Sequence, residues 1–285
     1  MTLPAIRTRS ANALPATRIV TANALPATRI VSANTLPAVR IVSLVPSVTE
    51  TLAAWGVDPI ACTRFCERPD LEHVGGTKNP DIEAITELRP DLVVVDREEN
   101  RSEDYDALVA NGTDVQALHV ASLDDVEPEL GQLAARIGVE WSTEPLPEQC
   151  KPLEHPSGRN VRVFVPIWRR PYMTIGARTY GASLLAWCGV DVAFADRGRY
   201  PTIDAGDLSA GHFDIVLAPT EPYPCHLRHL DELAKIAPTH VIDGQDLFWW
   251  GTRTPGAVVR VAETVRRALR QQGPPQTARS SVTVQ

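Results

Sequence analysis

The chain has 285 residues, of which 44% are hydrophobic and 22% are charged, and its formal net charge is −7. This length is enough for a substantial core and, at roughly 100–200 residues per domain, predicts two lobes. The acidic balance argues against general nucleic-acid binding, which needs a basic surface. The five cysteines are too few and too scattered for a disulfide framework. No apolar run approaches the roughly 18 residues that predict a transmembrane helix.

The N-terminal segment, residues 1–38, is dominated by a repeat. The sequence ANALPATRIV occurs at 11–20 and again at 22–31, and the variant ANTLPAVRIV occupies 33–42. We interpret the extra copies as duplicates of a first strand that have no partners, and we expect residues 1–38 to be disordered. Scattered arginines interrupt the apolar run of about 7–15 residues that a secretory signal needs. There is also no lipid-attachment cysteine near the start, so the sequence as written predicts a cytoplasmic chain.

Residues 39–139 alternate short apolar runs with amphipathic segments, which is typical of an α/β lobe with a parallel sheet. Ser47 with Glu50 three residues later predicts a capping box at the start of the first helix. Asp81 predicts the N-cap of the second helix. Strands are expected at 39–44, 59–62, 91–95 and 115–118, and helices at 47–55, 81–88, 102–110 and 123–137.

Residues 140–160 contain four prolines and predict a linker, because proline at that density forbids a long helix. A second α/β lobe is expected over residues 161–271, followed by a disordered tail at 272–285. Its strands are predicted at 161–166, 213–218 and 240–242, and its helices at 179–188, 227–236 and 255–269. The predicted fold is α/β, with two Rossmann-like lobes, a ligand cleft between them and a single shortened, proline-rich connection.

Ligands of parallel sheets bind beyond the carboxyl ends of the strands, so the residues that follow strands are the candidates for a site. In the first lobe these include Ser47, Phe65, Lys78 and Glu99. Ser47 lies where free helical N–H groups could hold an anion or a carbonyl, although an ordinary helix cap explains it equally well. Glu99 lies in a charged run at 96–101 that caps a buried strand, where a solvated surface is the alternative.

The loops of the second lobe are rich in aromatic side chains. Three of the six tryptophans, Trp168, Trp249 and Trp250, fall directly after predicted strands, and such exposed aromatics usually mark a binding surface. Packing between the loops and the core is the alternative for these residues, and it is our interpretation for Trp55, Trp141 and Trp187. The other candidates in these loops are Arg169, Arg170, Tyr172, Glu221, Tyr223, Asp243 and Arg253.

Catalytic motifs are absent from the sequence. There is no Gly-x-Ser-x-Gly, His-Glu-x-x-His or Gly-x-Gly-x-x-Gly pattern, and the seven histidines lack the spacing of metal ligands. Glu221 and Asp243 fit acid–base groups, metal ligands or hydrogen-bond partners of a ligand, and the sequence does not separate these roles. We therefore assign no catalytic residue and no metal ligand.

Four segments carry a family resemblance that covers roughly residues 39–270. They are RIVSLVPSVTETLAAWGV at 40–57, VGGTKNPDIEAITELRPDLVVV at 74–95, VRVFVPIWRRPYMTIGARTYGASLLAWCGV at 161–190 and PTIDAGDLSAGHFDIVLAP at 201–219. The chain resembles the helical-backbone (class III) substrate-binding proteins of ABC importers, of the type that binds vitamin B12 or iron siderophores. The segments GGTKNP, DREENR, WRRPYMTIG and EPYP resemble a cobalamin-binding branch of that family.

The resemblance implies a monomeric binding protein rather than an enzyme, with no intrinsic cofactor and no nucleic-acid partner. Its ligand would be cobalamin or a related metal chelate, such as a siderophore or heme, held between the lobes. Family relatives are usually periplasmic or anchored to the membrane from outside. By resemblance, aromatic side chains would flank the ligand (Trp168, Tyr172, Trp249 and Trp250) and arginines would pair with its polar groups (Arg169, Arg170 or Arg253).

The family also docks on an ABC permease through one carboxylate in each lobe. Glu83 matches the first of these positions. The second falls at Gly206, with Asp207 beside it, so Asp207 is the candidate.

Two other functions stay open at this point. A cytoplasmic metal-dependent enzyme or metal-handling protein would use the same cleft, with a metal held by residues from both lobes (Cys66, Glu98, Glu99, Glu221 and Asp243). A degenerate paralogue that only makes protein contacts would bind no small molecule.

Overall fold

The computed structural model describes residues 39–150, 153 and 158–271. The disorder expected at 1–38 and 272–285 therefore concerns residues outside this description. The described part contains two parallel sheets, one from each half of the chain, and their helices pack against each other. None of its helices combines the length and apolar character needed to cross a membrane.

The first lobe is built on a five-stranded parallel sheet with the strand order β3-β2-β1-β6-β7. Its central strands consist of buried residues, all apolar except Ser43 and Asp96 at their ends, as expected for a parallel sheet covered on both faces. The strands are β1 Ile41–Ser43, β2 Ala61–Cys62, β3 Glu72–His73, β6 Leu92–Asp96 and β7 Val115–Leu118, with a separate antiparallel hairpin of β4 Gly75–Gly76 and β5 Asn79–Pro80. The helices are α1 Pro46–Ala54, α2 Ile82–Glu87, α3 Ser102–Ala110 and α4 Leu123–Ile137.

The predicted starts of two helices have different outcomes. Asp81 caps α2 as predicted, since its side chain accepts a hydrogen bond from the backbone N–H of Ala84 at 3.0 Å. The capping box predicted at Ser47 is wrong. Helix α1 begins at Pro46, and its N-cap, Val45, makes no side-chain cap. The fixed φ of proline suits the first helical position, so the helix starts one residue before Ser47.

The second lobe contains a four-stranded parallel sheet with the order β11-β8-β13-β14 and a three-stranded antiparallel sheet with the order β12-β10-β9. The strands are β8 Val161–Phe164, β9 Pro166–Trp168, β10 Tyr172–Thr174, β11 Val190–Val192, β12 Thr202–Ile203, β13 Ile215–Pro219 and β14 Thr239–Ile242. The helices are α5 Tyr180–Trp187, α6 Ala205–Ala210, α7 Cys225–Arg228, α8 Leu230–Leu233, α9 Gly244–Phe248 and α10 Thr254–Gln271.

The antiparallel sheet is the main feature of this lobe that the sequence pattern did not predict. The single strand expected at 161–166 is divided into β8 and β9, and β9 pairs with β10 across a short turn at 169–171. The single helix expected at 227–236 is likewise divided into α7 and α8. Strands of two or three residues show too few alternations for periodicity to reveal them.

The lobes share one hydrophobic cluster as well as their chain connection. Val48 of α1 and Leu130 of α4 belong to the same buried cluster as Leu184 of α5 and Val261 of α10. In the predicted linker, the only helical segment among the described residues is Glu148–Cys150, a single 3₁₀ turn. Helices from both lobes therefore pack together in one hydrophobic core.

Candidate functional site

The loops at the carboxyl ends of the two sheets carry most of the predicted site residues. Residues 63–67 follow β2 and residues 97–101 follow β6 in the first lobe. Residues 220–224 follow β13, and residues 243–253 contain α9 and the turn after it. Parallel strands present their following loops at one edge, so each sheet offers one such edge to a ligand.

Three contacts join these loops across the lobes. The hydroxyl of Tyr200 donates to Glu98 Oε2 at 2.7 Å, and Glu98 also forms an ion pair with Arg199. The side-chain amide of Gln245 donates to Glu67 at 2.7 Å.

The third contact is an ion pair between Arg253 of the second lobe and Glu50 of α1, with a nitrogen–oxygen distance of 3.5 Å. Together the three contacts bring the two sets of loops face to face, and we call the space that they frame the interlobe cleft.

Exposed aromatic side chains lie in this region. Among the described residues, the aromatic side chains with the largest exposed fractions are Phe65 at 54%, Trp168 at 49% and Tyr200 at 43%. Trp168 packs on Tyr223, with ring centroids 5.1 Å apart, and Tyr223 in turn stacks on His229. Water-exposed rings of this size are unfavourable unless a ligand covers them, so Phe65 and Trp168 are the strongest apolar contacts that the cleft offers.

The two neighbouring tryptophans after β14 have different surroundings. Trp249 is half-buried, and the guanidinium of Arg253 lies 5.4 Å from the centre of its ring. Trp250 is 5% exposed and belongs to the hydrophobic cluster shared by the two lobes. Trp250 therefore has no free face, and we correct its predicted role in flanking a ligand to one in core packing.

Arg169 and Tyr172 are also committed to contacts within the protein. Both bind the carboxylate of Glu232: Arg169 forms an ion pair with it, and Tyr172 donates from its hydroxyl at 2.6 Å. The guanidinium of Arg169 and then the Tyr172 hydroxyl hold the pKa of Glu232 at about 2, below its usual value. The predicted pairing of Arg169 with a ligand would require this network to open, whereas Arg170 is exposed at the tip of the β9–β10 turn.

Carboxyl groups are the main polar feature of the cleft walls. Burial raises the pKa of Glu50, with Arg253 as the largest opposing influence. Burial also raises the pKa of Glu221, opposed mainly by a hydrogen bond with Trp249. Glu99 is accessible to solvent, but protein atoms crowd its carboxyl group, and this desolvation raises its pKa. These groups therefore hold protons more readily than free carboxylates do.

The remaining polar candidates have local structural roles. Lys78 donates a hydrogen bond to the backbone carbonyl of Glu98. Asp243 caps α9 by accepting from the backbone N–H of Gln245 at 2.9 Å. Ser47 is 4% exposed inside the first turn of α1, so a helix-start position explains it.

The two candidates for permease docking lie on short helices outside the cleft loops. Glu83 is exposed in the first turn of α2 and lines a shallow surface depression with Thr86 and Asn111. Asp207 is half-buried, forms the capping box of α6 and makes an ion pair with Arg197. Glu83 is thus free for a partner, whereas the Asp207 carboxylate is already in use.

The alternative of a directly bound metal has no support in the described part of the chain. No group of three or more histidine, cysteine, aspartate or glutamate side chains there could hold a metal ion. Cys66 is buried against Thr49, with 3.2 Å between Oγ1 and Sγ, rather than grouped with the carboxylates.

Of the bridging residues, Arg253 belonged to the predicted ligand-binding set, whereas Glu50, Glu67, Glu98, Arg199, Tyr200 and Gln245 did not. Glu67 and Glu98 follow strands, so their position was a usable signal. Tyr200 and Gln245 carry no local signal, since they are recognised by partners 102 and 178 residues away in sequence.

Comparison with known proteins agrees with this architecture. A model of the periplasmic binding protein family matches residues 41–141. The vitamin B12-binding protein of Salmonella paratyphi A is 27% identical over 191 residues, which cover 61% of this chain and 70% of the relative.

Solved structures show the same fold. The periplasmic vitamin B12 binding protein BtuF of Vibrio cholerae superimposes with a TM-score of 0.67 at 20% identity, covering 82% of this chain and 99% of that one. The periplasmic heme binding protein HutB of Vibrio cholerae gives a TM-score of 0.64 at 18% identity, covering 80% and 98%.

The two α/β lobes, which face each other through the loops of their parallel sheets, share their fold with these solved periplasmic binding proteins. The family model matches the first lobe and the vitamin B12-binding relative matches 61% of the chain, so these comparisons confirm the resemblance found in its sequence. The predicted fold class, α/β with two lobes, is confirmed as well.

Proposed function

We propose that this chain captures a metal chelate of the cobalamin and heme class in the interlobe cleft, with a corrinoid as the first candidate. The observation that carries the proposal is the pair of exposed aromatic side chains, Phe65 and Trp168, in a cleft framed by both lobes. A flat, largely apolar macrocycle is a ligand that such rings can cover and stabilise.

The charges of the cleft favour a corrinoid over heme. Glu50, Glu99 and Glu221 line the cleft, and the nearby Arg253 is already paired with Glu50 and Asp246. These carboxyl groups offer no positive partner to the two carboxylates of heme, whereas the amide side chains of cobalamin can donate hydrogen bonds to them. The curated relatives that match this sequence are vitamin B12-binding proteins, which supports the same choice.

The aromatic site is tested by substituting Trp168. We expect Trp168→Ala to weaken cyanocobalamin binding by about 1–2 kcal/mol, which is roughly five- to thirtyfold in Kd, since the variant loses one stacking surface. Trp168→Phe keeps an aromatic face and should bind within about threefold of the parent. Equilibrium dialysis of the full chain measures both.

Val109→Ala is the matched control, because Val109 is an exposed apolar residue on α3. This substitution should leave the affinity for cyanocobalamin unchanged. If Trp168→Ala binds as tightly as the Val109 variant, Trp168 does not contact the ligand.

We further propose that binding involves no chemical turnover, so that cobalamin recovered from the protein is unchanged in its absorption spectrum and chromatographic mobility. An ABC permease is the proposed partner, and Glu83 is the proposed docking residue of the first lobe. One structural neighbour, from Listeria monocytogenes, is an ABC transporter substrate-binding protein, with a TM-score of 0.62 at 15% identity, covering 79% of this chain and 98% of that one.

The compartment in which the chain works remains a separate prediction. The sequence as written predicts the cytoplasm, whereas the matched family is described as periplasmic. Fractionation of cells that express the full chain, with detection of the protein in each fraction, decides between the two.

A further inference from the structure

Two cysteines lie side by side at the end of β2, in the wall of the cleft. Cys62 is the last residue of the strand, and Cys66 follows in a turn closed by a hydrogen bond from its own N–H to the carbonyl of Thr63, at 3.0 Å. Both are free thiols four residues apart across this turn, and each lies close enough to shift the pKa of the other. The two sulfur atoms are therefore neighbours without being covalently joined.

The surroundings make these two thiols chemically unequal. Cys66 Sγ lies 3.2 Å from Thr49 Oγ1 and 3.4 Å from Thr63 Oγ1. Hydrogen bonds from Cys62, Thr49 and Thr63 favour the thiolate and lower the pKa of Cys66, although burial opposes them. The contact with Cys66, together with burial, raises the pKa of Cys62. Cys66 is thus the nucleophile of the pair, and Cys62 stays a thiol.

The two thiols also differ in their access to solvent. Cys66 is 6% exposed, whereas Cys62 is completely buried. The other cysteines, at 150, 188 and 225, are buried too, and burial raises the pKa of each. Cys66 is therefore the cysteine that a small oxidant in solution would reach first.

We propose that Cys62 and Cys66 are a redox-active pair that closes to an intramolecular disulfide when a peroxide oxidises Cys66. The Cys66 thiolate attacks one oxygen of hydrogen peroxide, the O–O bond breaks, and the departing hydroxide takes up a proton to become water. The resulting sulfenic acid is attacked by Cys62, which forms the S–S bond and releases a second water. Two thiols are oxidised, one peroxide is reduced and no further reactant is needed.

The position of the pair connects this modification to the cleft. The intervening turn carries Phe65, and the residue after Cys66 is Glu67, which bridges to Gln245 of the second lobe. The disulfide would tie this loop to the end of β2.

The test uses the full chain, reduced and then freed of reductant at pH 7. It is treated with a small excess of hydrogen peroxide, blocked with N-ethylmaleimide, digested with trypsin and analysed by mass spectrometry. Trypsin cuts after Arg64, between the two cysteines, so they fall on separate peptides, 41–64 and 65–78. We expect these peptides to appear covalently joined after peroxide and separate after reduction.

The proposal is overturned if both peptides carry N-ethylmaleimide, if Cys66 accumulates as a sulfinic or sulfonic acid without cross-linking, or if Cys66 pairs with another cysteine. Cys62→Ser keeps a hydroxyl donor for Cys66 but has no second sulfur. In that variant we expect the Cys66 sulfenic acid to persist and to be trapped by dimedone.

Thr49→Val tests the activation of Cys66 separately. It removes the hydroxyl while preserving the side-chain shape, and we expect the alkylation of Cys66 by iodoacetamide at pH 7 to slow by about tenfold. Tryptophan fluorescence checks that the variant is folded. An unchanged alkylation rate in the folded variant would refute the activation of Cys66 by Thr49.

Discussion

The pH dependence of stability should be governed in part by one buried carboxyl group, that of Asp96. Asp96 is the last residue of β6 and is 1% exposed. Its Oδ1 accepts hydrogen bonds from the N–H groups of Glu98 and Glu99 at 2.8 and 3.0 Å, and its Oδ2 has no hydrogen-bond partner among the described residues. Burial outweighs the two hydrogen bonds and raises the pKa of Asp96 to about 7.

The sign and size of the effect follow from this pKa. In the unfolded chain Asp96 titrates near 3.8, whereas in the folded protein it keeps its proton until about pH 7. Its contribution to stability is fully present below pH 3.8 and is lost as the pH rises to about 7. A rise of roughly three units corresponds to about 4 kcal/mol in the free energy of unfolding across that interval.

Asp96→Asn tests this prediction, because asparagine retains an oxygen for the two N–H groups but does not titrate. Between pH 4 and pH 7, we expect the free energy of unfolding to fall by about 4 kcal/mol more in the parent than in the variant. Urea unfolding followed by tryptophan fluorescence at several pH values measures the difference from the parent. Glu50, Glu99 and Glu221 also have raised pKa values and contribute in both proteins, so only this difference is informative.

Asp106→Asn, an exposed position on α3, is the matched control and should keep the pH profile of the parent. If Asp96→Asn shows the same pH profile as the Asp106 variant, Asp96 is already ionised in the folded protein, and the reasoning from its burial is refuted.

Three further experiments test contacts within and between the lobes. Gly251→Ala should lower the free energy of unfolding by about 2–4 kcal/mol, because an added Cβ would lie 2.3 Å from Thr51 Oγ1 of the other lobe. Gly112 also has a positive φ, but a Cβ there would meet nothing within 4 Å, so Gly112→Ala should destabilise the protein less in the same urea assay. Equal losses of unfolding free energy in the two variants would exclude the close packing at Gly251. A double-mutant cycle of Glu98→Gln and Arg199→Ala should give a coupling energy of about 1 kcal/mol in urea unfolding, whereas additive effects would show that the bridge is not formed. Glu232→Gln should remove stability that is present above pH 4.5 and lost as the pH falls towards 2, since Arg169 lowers the pKa of Glu232; an unchanged acid unfolding profile would contradict that pairing.

The sequence predicted the first lobe well because its signals are local. The apolar part of the run DLVVV lies in β6, since the five successive buried residues Leu92–Asp96 fit a parallel strand covered on both faces. The amphipathic run at 123–137 forms α4 with the predicted bounds, and Gly138 ends it in the left-handed conformation.

The site was predicted less completely because exposure depends on tertiary packing. Trp168 and Trp250 both follow predicted strands, yet Trp168 is half-exposed and Trp250 lies in the shared hydrophobic cluster. The adjacent sequence does not distinguish them, since the difference arises from the helices that pack against Trp250. The hydrogen bond between Glu98 and Tyr200 could not be predicted from the sequence either, because it forms only when the two lobes meet.

The interlobe cleft should bind a corrinoid in preference to heme. The most direct measurement is isothermal titration calorimetry of the full chain with cyanocobalamin and, separately, with hemin. We expect saturable binding of one cyanocobalamin per chain at micromolar or tighter Kd, and at least about tenfold weaker binding of hemin. Tighter binding of hemin would contradict the charge argument, and binding of neither ligand would contradict the proposed function.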